Sequence, residues 1–466
     1  MPLDYLTSTG PVFAIQGLPE EQIAVLLAKY SRNSGALRDI LQGMIDAGEA
    51  GSAEWHQKFT ISYGHASIAE HSTIHLGLEG ISILATKIVE DCRLASFTEK
   101  STRYVDFAGA PFHDRADWPP AYQQTCQRLF RAYRDWQPIV SAHLQAQRPD
   151  ATPAALRART CDSLRYLLPA GTLTNVGVSG NARVIAGLIR KLVGSDLVEC
   201  RELAGPVREE ASKVCPTLLR RTEEDPSRPM RAAIRELAES YVVNSTPVWT
   251  PVEQSFGTVR LLQANMMAER VLAAALLYPH VGSMAAQRIS LSPAIQAEVI
   301  NTCLAARPDR APFPREAEHV TYRVDVTCDY GAYRDLQRHR MTTQTDQVLT
   351  PDLGYEVPPD LEACGLDQAY HGLMAGIRPA WQALVDAVGP HAAQYVIPLA
   401  FRKRYLMTLN LREAAHLIEL RSAPQGHWSY RAVARDLHRA IQATHPLLAS
   451  HIRVHPDHDG LDREGR

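Results

Sequence analysis

The chain has 466 residues, a length that usually corresponds to more than one domain. Hydrophobic residues make up 45% of it and charged residues 21%, as in ordinary globular proteins, and the formal net charge of -2 excludes the basic surface that a nucleic-acid partner requires. The sequence contains no run of about 18 apolar residues, so no membrane span is predicted. The eight cysteines form no C-x-x-C pair, which argues against a metal site or a disulfide framework and indicates a reducing, cytoplasmic setting.

The chain contains two copies of one sequence pattern. GPVFAIQGLPEEQIAVLLAKY begins at Gly10 and resembles GTVRLLQANMMAERVLAAALLY, which begins at Gly257. Farther along, LLPAGTLTNVGVSGNAR resembles VIPLAFRKRYLMTLNLR, with Pro169 corresponding to Pro398. Repeats of this size indicate a tandem domain duplication rather than a solenoid. We predict repeat 1 over residues 1–221, a linker over 222–245, repeat 2 over 246–454 and a polar tail over 455–466.

Local patterns predict similar elements in both copies. In repeat 1, ISILATKIVEDCR is predicted to be helical, and apolar residues recur at helical spacing after Asn181. In repeat 2, VTYRVDVTC alternates apolar and polar residues from Val320 to Cys328, which predicts a half-buried strand. GAYRDLQRHR follows as a helix, and another helix is predicted after Asn410. Each repeat is therefore predicted to be α+β, with a mostly antiparallel sheet flanked by long helices.

The most polar motifs of the two copies are complementary. Arg338–Pro351 reads RHRMTTQTDQVLTP and opens with Arg-His-Arg, a cluster of donors suited to a phosphate or an electron-rich ring. Its counterpart Asp91–Val105 reads DCRLASFTEKSTRYV, which lacks that cluster but keeps a hydroxyl-rich second half with Ser101 and Arg103. Each copy retains the part of the motif that the other has lost.

Four motifs follow one another along the chain: a Glu-His pair, Arg-His-Arg, Ser-x-Arg and Asn-x-Arg. In this order they resemble the motifs of the flavin-dependent thymidylate synthase family. The resemblance covers nearly the whole chain and occurs twice, once in each copy. The resemblance implies FAD as the cofactor, NADPH as the reductant, and transfer of a methylene group from methylenetetrahydrofolate to C5 of dUMP. The family is a homotetramer with sites between subunits. A duplicated chain is therefore expected to form a homodimer that imitates the tetramer, with no nucleic-acid or membrane partner.

The resemblance also assigns roles to residues. Arg421 would act in catalysis, by stabilising the negative charge at the pyrimidine N3 as C5 becomes nucleophilic, and this mechanism needs no cysteine. The implied substrate-binding residues are Glu99, Lys100, Ser101, Thr102, Arg103, Arg165 and Arg338. The implied FAD-binding residues are Ser67, Glu70, Arg338, His339, Arg340, Asn410, Arg412 and His416. No metal ligand is implied.

The second possible combination of half-motifs is degenerate. In repeat 1, Asp91 and Leu192 occupy the positions of the two arginines that face the nucleotide. In repeat 2, Val348 and Gln394 replace the phosphate-loop serine and its arginine partner. An aspartate at the first position would repel phosphate and pyrophosphate alike. We therefore predict one composite site per chain, built from the phosphate loop of repeat 1 and the Arg-His-Arg half of repeat 2.

Simpler interpretations exist for single residues. Arg338–Arg340 could be a solvated helix end, Ser101 a loop or cap residue, and Arg421 a cation favoured by the helix dipole. Asp335 stands where the family has a glutamine that contacts the pyrimidine, and Gln425 where a flavin-contacting histidine is common. These departures leave two alternative functions: a flavin-dependent enzyme acting on another pyrimidine nucleotide, and a non-catalytic protein that binds flavin or nucleotide.

Overall fold

The computed structural model of the chain describes residues 5–46, 66–219, 222–241, 258–282, 291–309 and 311–457. Its strands are β1 Thr73–Ser82, β2 Ser96–Glu99, β3 Leu173–Asn181, β4 Val259–Ala264, β5 Thr321–Asp329, β6 Thr343–Asp346 and β7 Arg402–Asn410. Its α-helices are α1 Glu20–Tyr30, α2 Leu37–Asp46, α3 Ile83–Glu90, α4 Pro120–Gln147, α5 Pro153–Leu164, α6 Ala182–Val193, α7 Val198–Val214, α8 Arg228–Tyr241, α9 Ala268–Leu277, α10 Pro293–Ala305, α11 Tyr330–Gln337, α12 Pro359–Ala363, α13 Asp367–Ala375, α14 Ile377–Val388, α15 Pro390–Ala393, α16 Leu411–Arg421, α17 Trp428–Thr444 and α18 Pro446–Ala449. Within these ranges, none of the helices has the length and apolar character needed to cross a bilayer.

Two antiparallel sheets contain the same arrangement of three strands. The first sheet has the order β1-β3-β2 and the second β4-β5-β7-β6, so that β5-β7-β6 repeats the first sheet. Thr73 pairs with Asn181 in the first sheet and Thr321 with Asn410 in the second, which are corresponding positions of the two sequence copies. The internal similarity of the sequence is thus also present in the backbone register, and the predicted α+β class with antiparallel sheets is confirmed.

Corresponding asparagines start the helices that follow β3 and β7. The Asn181 and Asn410 side chains accept hydrogen bonds from the backbone N–H groups of Val184 at 2.9 Å and Glu413 at 2.8 Å. Asparagine is a preferred N-cap because its side-chain oxygen satisfies one of the amides that a helix leaves free at its start. In α16 this cap fixes the backbone at the start of the helix that carries Arg412, Glu413 and His416.

The chain divides into two compact units that cut across the sequence repeats. The first unit comprises Met1–Lys100 and Leu173–Ser245, and the second Ser101–Thr172 and Thr246–Arg466. Part of repeat 1, including α4 and α5, therefore packs with repeat 2, and α4 lies against α14 inside the second unit. Sequence similarity defines the repeats, whereas packing defines the units, and the two divisions need not coincide.

A local two-fold arrangement joins the two copies inside the second unit. The corresponding prolines of the two copies pair in an isolated antiparallel bridge. The Ala170 N–H donates to the Ile397 carbonyl at 2.8 Å, and the Leu399 N–H donates to the Leu168 carbonyl at 2.9 Å. Each hydrogen bond is the counterpart of the other, as in a two-fold symmetric dimer, where residue i contacts j and j contacts i. The chain makes internally a contact of the kind that separate subunits make.

The predicted linker is largely helical where it is described. Helix α8 occupies most of residues 222–245, and its apolar side chains Met230, Ile234 and Leu237 are exposed. Residues 242–245 of the linker and 458–466 of the predicted polar tail lie outside the described residues.

Candidate functional site

A tight turn after β2 positions Arg103. The Arg103 backbone N–H donates to the Ser101 hydroxyl at 3.2 Å, and the Val105 N–H donates to the Ser101 carbonyl at 3.1 Å. Thr102 is buried in this turn, and its hydroxyl accepts a hydrogen bond from Arg334 at 3.5 Å. Ser101 and Thr102 therefore help to build the loop.

The guanidinium of Arg103 lies in a buried network. Its Nε donates to the Asp162 carboxylate at 2.8 Å, its Nη1 to the Tyr430 hydroxyl at 2.7 Å, and its Nη2 to the Gln425 carbonyl at 3.0 Å. Asp162 is fully buried, and burial disfavours the charged form of Arg103, but the Asp162 carboxylate more than compensates and raises the pKa of Arg103. Arg103 thus ties the loop to α5 and to α17 as a permanent cation.

Arg165 is a buried arginine with incomplete hydrogen bonding. Only 1% of it is exposed, and its Nη1 donates to the Asp335 carboxylate at the long distance of 3.4 Å. Its Nε and Nη2 atoms are buried and have no hydrogen-bond partner among the described residues. Buried donors without acceptors are costly, so this position requires an acceptor from outside the described chain, such as an anion or a water molecule.

The charges of four arginines act on Asp335. Burial raises the pKa of its carboxyl, but Arg165, Arg103, Arg338 and Arg421 more than offset burial and bring that pKa down to about 2. Arg103 and Arg165 come from repeat 1, and Arg338 and Arg421 from repeat 2. The structure therefore brings together the four arginines that the sequence assigned to complementary halves of one site.

Three polar side chains form a chain of hydrogen bonds beside this group. Arg421 donates from Nε to His339 Nε2 at 2.9 Å, and His339 Nδ1 lies 2.8 Å from the Glu413 carboxylate. His339 is only 4% exposed, and burial, together with the charge of Arg421, lowers its pKa. The Arg421 guanidinium also lies over the Tyr430 ring, 5.4 Å from its centroid. We find the histidine of Arg-His-Arg engaged with the predicted catalytic arginine.

The remaining predicted flavin residues of repeat 2 lie around α16. Arg338 is the exposed C-cap of α11, and Arg340 is partly exposed. Arg412 donates to the Glu318 carboxylate at 2.8 Å, and the exposed His416, one helical turn later, has its ring 5.5 Å from that of His339. Asn410 serves as the N-cap of α16. These residues share one end of α16 and the segment after α11.

Four predicted residues belong to the first compact unit. Glu99 accepts a hydrogen bond from Thr86 at 3.2 Å, Lys100 is exposed, and Ser67 is exposed on the 3-10 helix Ala66–His71. Glu70 on that helix pairs with Arg183 at 2.5 Å. The Glu318–Arg412 pair is the corresponding contact in repeat 2. Glutamate and arginine at these positions therefore hold a structural ion pair in both copies.

The degenerate counterparts are satisfied locally. In repeat 2, Gln394 accepts from the Leu349 N–H at 3.0 Å, and Lys403 pairs with Asp346 at 2.7 Å, so that side chains within the second unit hold the loop. In repeat 1, Leu192 is fully buried as a core residue, and Asp91 pairs with Lys191 at 2.9 Å. At the positions of lost arginines, Gln394, Asp91 and Leu192 are thus held by a hydrogen bond, an ion pair and packing, whereas Val348, at the position of the serine, is exposed.

Sequence reasoning missed the partners of the arginines. Asp162, Tyr430 and Glu413 gave no signal, because each acts through a residue far away in sequence or on another element. His427 is fully buried as the N-cap of α17, and burial holds its pKa well below the usual range. The described residues contain no group of three or more His, Cys, Asp or Glu side chains arranged to hold a metal ion.

Four arginines act on the Asp335 carboxylate in this α+β unit, so this part of the second unit carries an excess of positive charge. A sequence profile of the family described as "Thymidylate synthase complementing protein" matches residues 15–217 and 260–447. The chain belongs to this family, and the profile matches it twice.

The chain is also similar to individual proteins. A "UPF0159 protein" of Chlamydia muridarum is 32% identical over 95% of this chain and 92% of its own length. A flavin-dependent thymidylate synthase of Sulfurisphaera tokodaii is 30% identical over 34% of this chain and 58% of its own. A solved structure of a UMP/dUMP methylase from Streptomyces cacaoi aligns with 42% of this chain and 95% of its own at 17% identity, with a TM-score of 0.36.

Proposed function

We propose that the protein is an FAD-dependent enzyme that methylates dUMP at C5, with methylenetetrahydrofolate as the carbon donor and NADPH as the reductant. One observation supports this above others: Arg103, Arg165, Arg338 and Arg421 together lower the pKa of the Asp335 carboxyl, and two buried donors of Arg165 lack an acceptor among the described residues. A nucleotide phosphate supplies such an acceptor, and arginine suits it because the guanidinium can donate two parallel hydrogen bonds. Family membership and the flavin-dependent relatives supply the class of reaction.

The chain's own residues divide the work. Arg165 and the turn at Ser101 would hold the phosphate, while Arg103 keeps that turn in place. Arg421 would donate to the pyrimidine and stabilise negative charge on the ring as C5 attacks the carbon donor. FAD, when bound, supplies the reducing equivalents, and the hydrogen-bond donors of Arg340, Arg412 and His416 suit its polar groups.

Cysteine chemistry is disfavoured by the surroundings of several thiols. Burial raises the pKa of Cys126 and Cys328 above the usual range, and it raises that of Cys200 to about 12. The thiolate is the nucleophilic form of cysteine, so these side chains are inert at neutral pH. Activation of the pyrimidine by Arg421 needs no thiolate.

We further propose one FAD and one nucleotide per chain, in a homodimer.

Release of label from C5 tests the reaction. The purified protein with FAD, NADPH and methylenetetrahydrofolate should release deuterium from [5-²H]dUMP and form dTMP, which mass spectrometry detects. Omitting FAD should abolish both, and Arg421→Met should reduce the rate at least about 100-fold, because removing one preorganised donor to developing charge costs about 100- to 1,000-fold in rate. Arg378→Met, which removes an exposed ion pair with Asp352, is the matched control. Absence of label release with bound flavin would refute the proposal.

Asp335 favours one second candidate, a flavin-dependent enzyme acting on another pyrimidine nucleotide. A carboxylate with a pKa of about 2 is ionised and can only accept hydrogen bonds. The exocyclic amino group of cytosine would match it, whereas the O4 oxygen of uracil would not. The same assay with [5-²H]dCMP decides between them: faster label release from dCMP than from dUMP would establish the second candidate.

Gly331 offers a test of the position of Arg165. A Cβ at residue 331 would lie 3.0 Å from Asp329 Oδ1 and 3.1 Å from Arg165 Nη2. Gly331→Ala should therefore displace the guanidinium by a few tenths of an ångström and weaken dUMP binding by about 3- to 10-fold, or about 1 kcal/mol. Gly372→Ala is the matched control, since nothing lies within 4 Å of its added Cβ. Calorimetric titration should show unchanged affinity in the control; equal affinities in both variants would contradict the assigned position.

A further inference from the structure

A buried hydrogen-bond chain connects Glu413 to Arg421 through His339. Both ends lie on α16: Glu413 in its first turn and Arg421 at its last residue. His339 enters from the segment after α11 and bridges them, 2.8 Å from the Glu413 carboxylate and 2.9 Å from Arg421 Nε. The Asn410 side chain accepts a hydrogen bond from the Glu413 backbone N–H at 2.8 Å, and this contact fixes the backbone that carries the Glu413 carboxylate.

The donor and acceptor rules determine the protonation of this chain. An arginine N–H can only donate, so His339 Nε2 must be the acceptor and carries no proton. The single proton of the neutral imidazole therefore lies on Nδ1, where it is donated to the Glu413 carboxylate. Burial and the charge of Arg421 lower the pKa of His339, in agreement with the neutral form. The Glu413 carboxylate accepts this proton and thereby stabilises the tautomer that can bind Arg421.

The arrangement leaves the outer nitrogens of Arg421 available. Its Nε is engaged by His339, and its Cζ lies 5.4 Å from the centroid of the Tyr430 ring. Among the described residues, Nη1 and Nη2 of Arg421 make no hydrogen bond. Two contacts therefore fix the plane of the guanidinium, while its charge acts on the Asp335 carboxylate without a hydrogen bond to it. Terminal donors held in this way have the preorganisation that stabilises developing charge.

We propose that Glu413 is a positioning residue: by fixing the Nδ1–H tautomer of His339, it orients Arg421 for the pyrimidine. The role of Arg421 in this statement rests on the proposed function. Neither Glu413 nor His339 needs to touch the substrate for this effect, because both act through the Nε hydrogen bond of the arginine.

Nitrogen NMR of the holoprotein tests the tautomer without any turnover. With ¹⁵N-labelled histidine, His339 (assigned by its loss in His339→Gln) should show a protonated Nδ1 and an unprotonated Nε2. Glu413→Gln should keep this pattern, because the amide oxygen still accepts from Nδ1–H. Glu413→Ala should show a mixture of tautomers. A proton on Nε2 in the unsubstituted protein would overturn the proposal, even if no variant of residue 413 folds.

Turnover provides the second measurement. Label release from C5 of dUMP should slow about 10- to 100-fold in Glu413→Ala, the range expected for loss of one hydrogen bond to a charged group, and the effect should fall on kcat. Glu413→Gln should restore most of the rate. Glu419→Ala, which removes from the same helix a carboxylate paired with Arg307, should leave the tautomer unchanged. Unaltered kcat in Glu413→Ala would overturn the positioning role. An inactive unsubstituted protein with the expected tautomer would instead refute the proposed function and leave the hydrogen-bond chain established.

Discussion

Replacing Arg103 with alanine should lower the free energy of unfolding by about 3–5 kcal/mol, the cost of removing one partner from a buried ion pair. Asp162 is fully buried and receives two hydrogen bonds from Arg103, at 2.8 and 3.2 Å. Without the guanidinium its carboxylate would remain in the interior with no cation beside it. The Tyr430 hydroxyl and the Gln425 carbonyl would lose their hydrogen bonds from the same side chain.

Urea denaturation of the Arg103 and Arg148 alanine variants isolates this effect. Arg148 pairs with Asp150, a carboxylate that is 71% exposed, so its loss should leave the free energy of unfolding almost unchanged. The double variant Arg103→Ala/Asp162→Ala should recover part of the stability, since no buried charge is left alone. Equal losses in the two single variants would mean that Arg103 is not structural. In that case its donors would be available for the phosphate contact that the sequence resemblance implies.

The fold could be predicted from the sequence because its signals are local and occur in both copies. The alternation from Val320 to Cys328 and the helical spacing after Asn410 are local signals, and the duplication provides each of them in a second context. Residues matched in sequence, such as Thr73 and Thr321, occupy the same register in their sheets. One departure is Asp325, on the polar face of its strand, which is 4% exposed because Arg404 covers its carboxylate.

The residues that contact the arginines of the site could not be predicted from local sequence patterns. Arg103 and Asp162 are 59 residues apart, and Arg103 and Tyr430 are 327 apart, so no local pattern joins them. Motif comparison identified arginines by their spacing but could not tell a ligand contact from a structural contact. The packing of Ser101–Thr172 with repeat 2 settles which side chains surround Arg103. The resulting environment, a fully buried aspartate and a carbonyl, exists only in the folded chain.

Arg165 is expected to have the largest effect on ligand binding. Replacement by methionine keeps the length of the side chain and removes the buried donors at Nε and Nη2, together with the long Nη1 contact to Asp335. Loss of two charge-assisted hydrogen bonds, each worth about 1.5–3 kcal/mol, should weaken dUMP binding about 100- to 10,000-fold. The fold should survive, because the Arg165 guanidinium makes only one long hydrogen bond within the described residues, and Asp335 keeps the charges of Arg103, Arg338 and Arg421 when Arg165 is removed.

The comparison of dUMP with 2′-deoxyuridine assigns this loss to the phosphate. Calorimetric titration of the flavin-loaded protein should show that Arg165→Met binds the nucleoside as the unsubstituted protein does and has lost the preference for the nucleotide. Arg165→Lys should recover only part of it, since an ammonium group carries the charge but cannot donate the two parallel hydrogen bonds of a guanidinium. If Arg165→Met weakens nucleotide and nucleoside equally, Arg165 acts on the base or on the fold, and the phosphate lies elsewhere among the arginines.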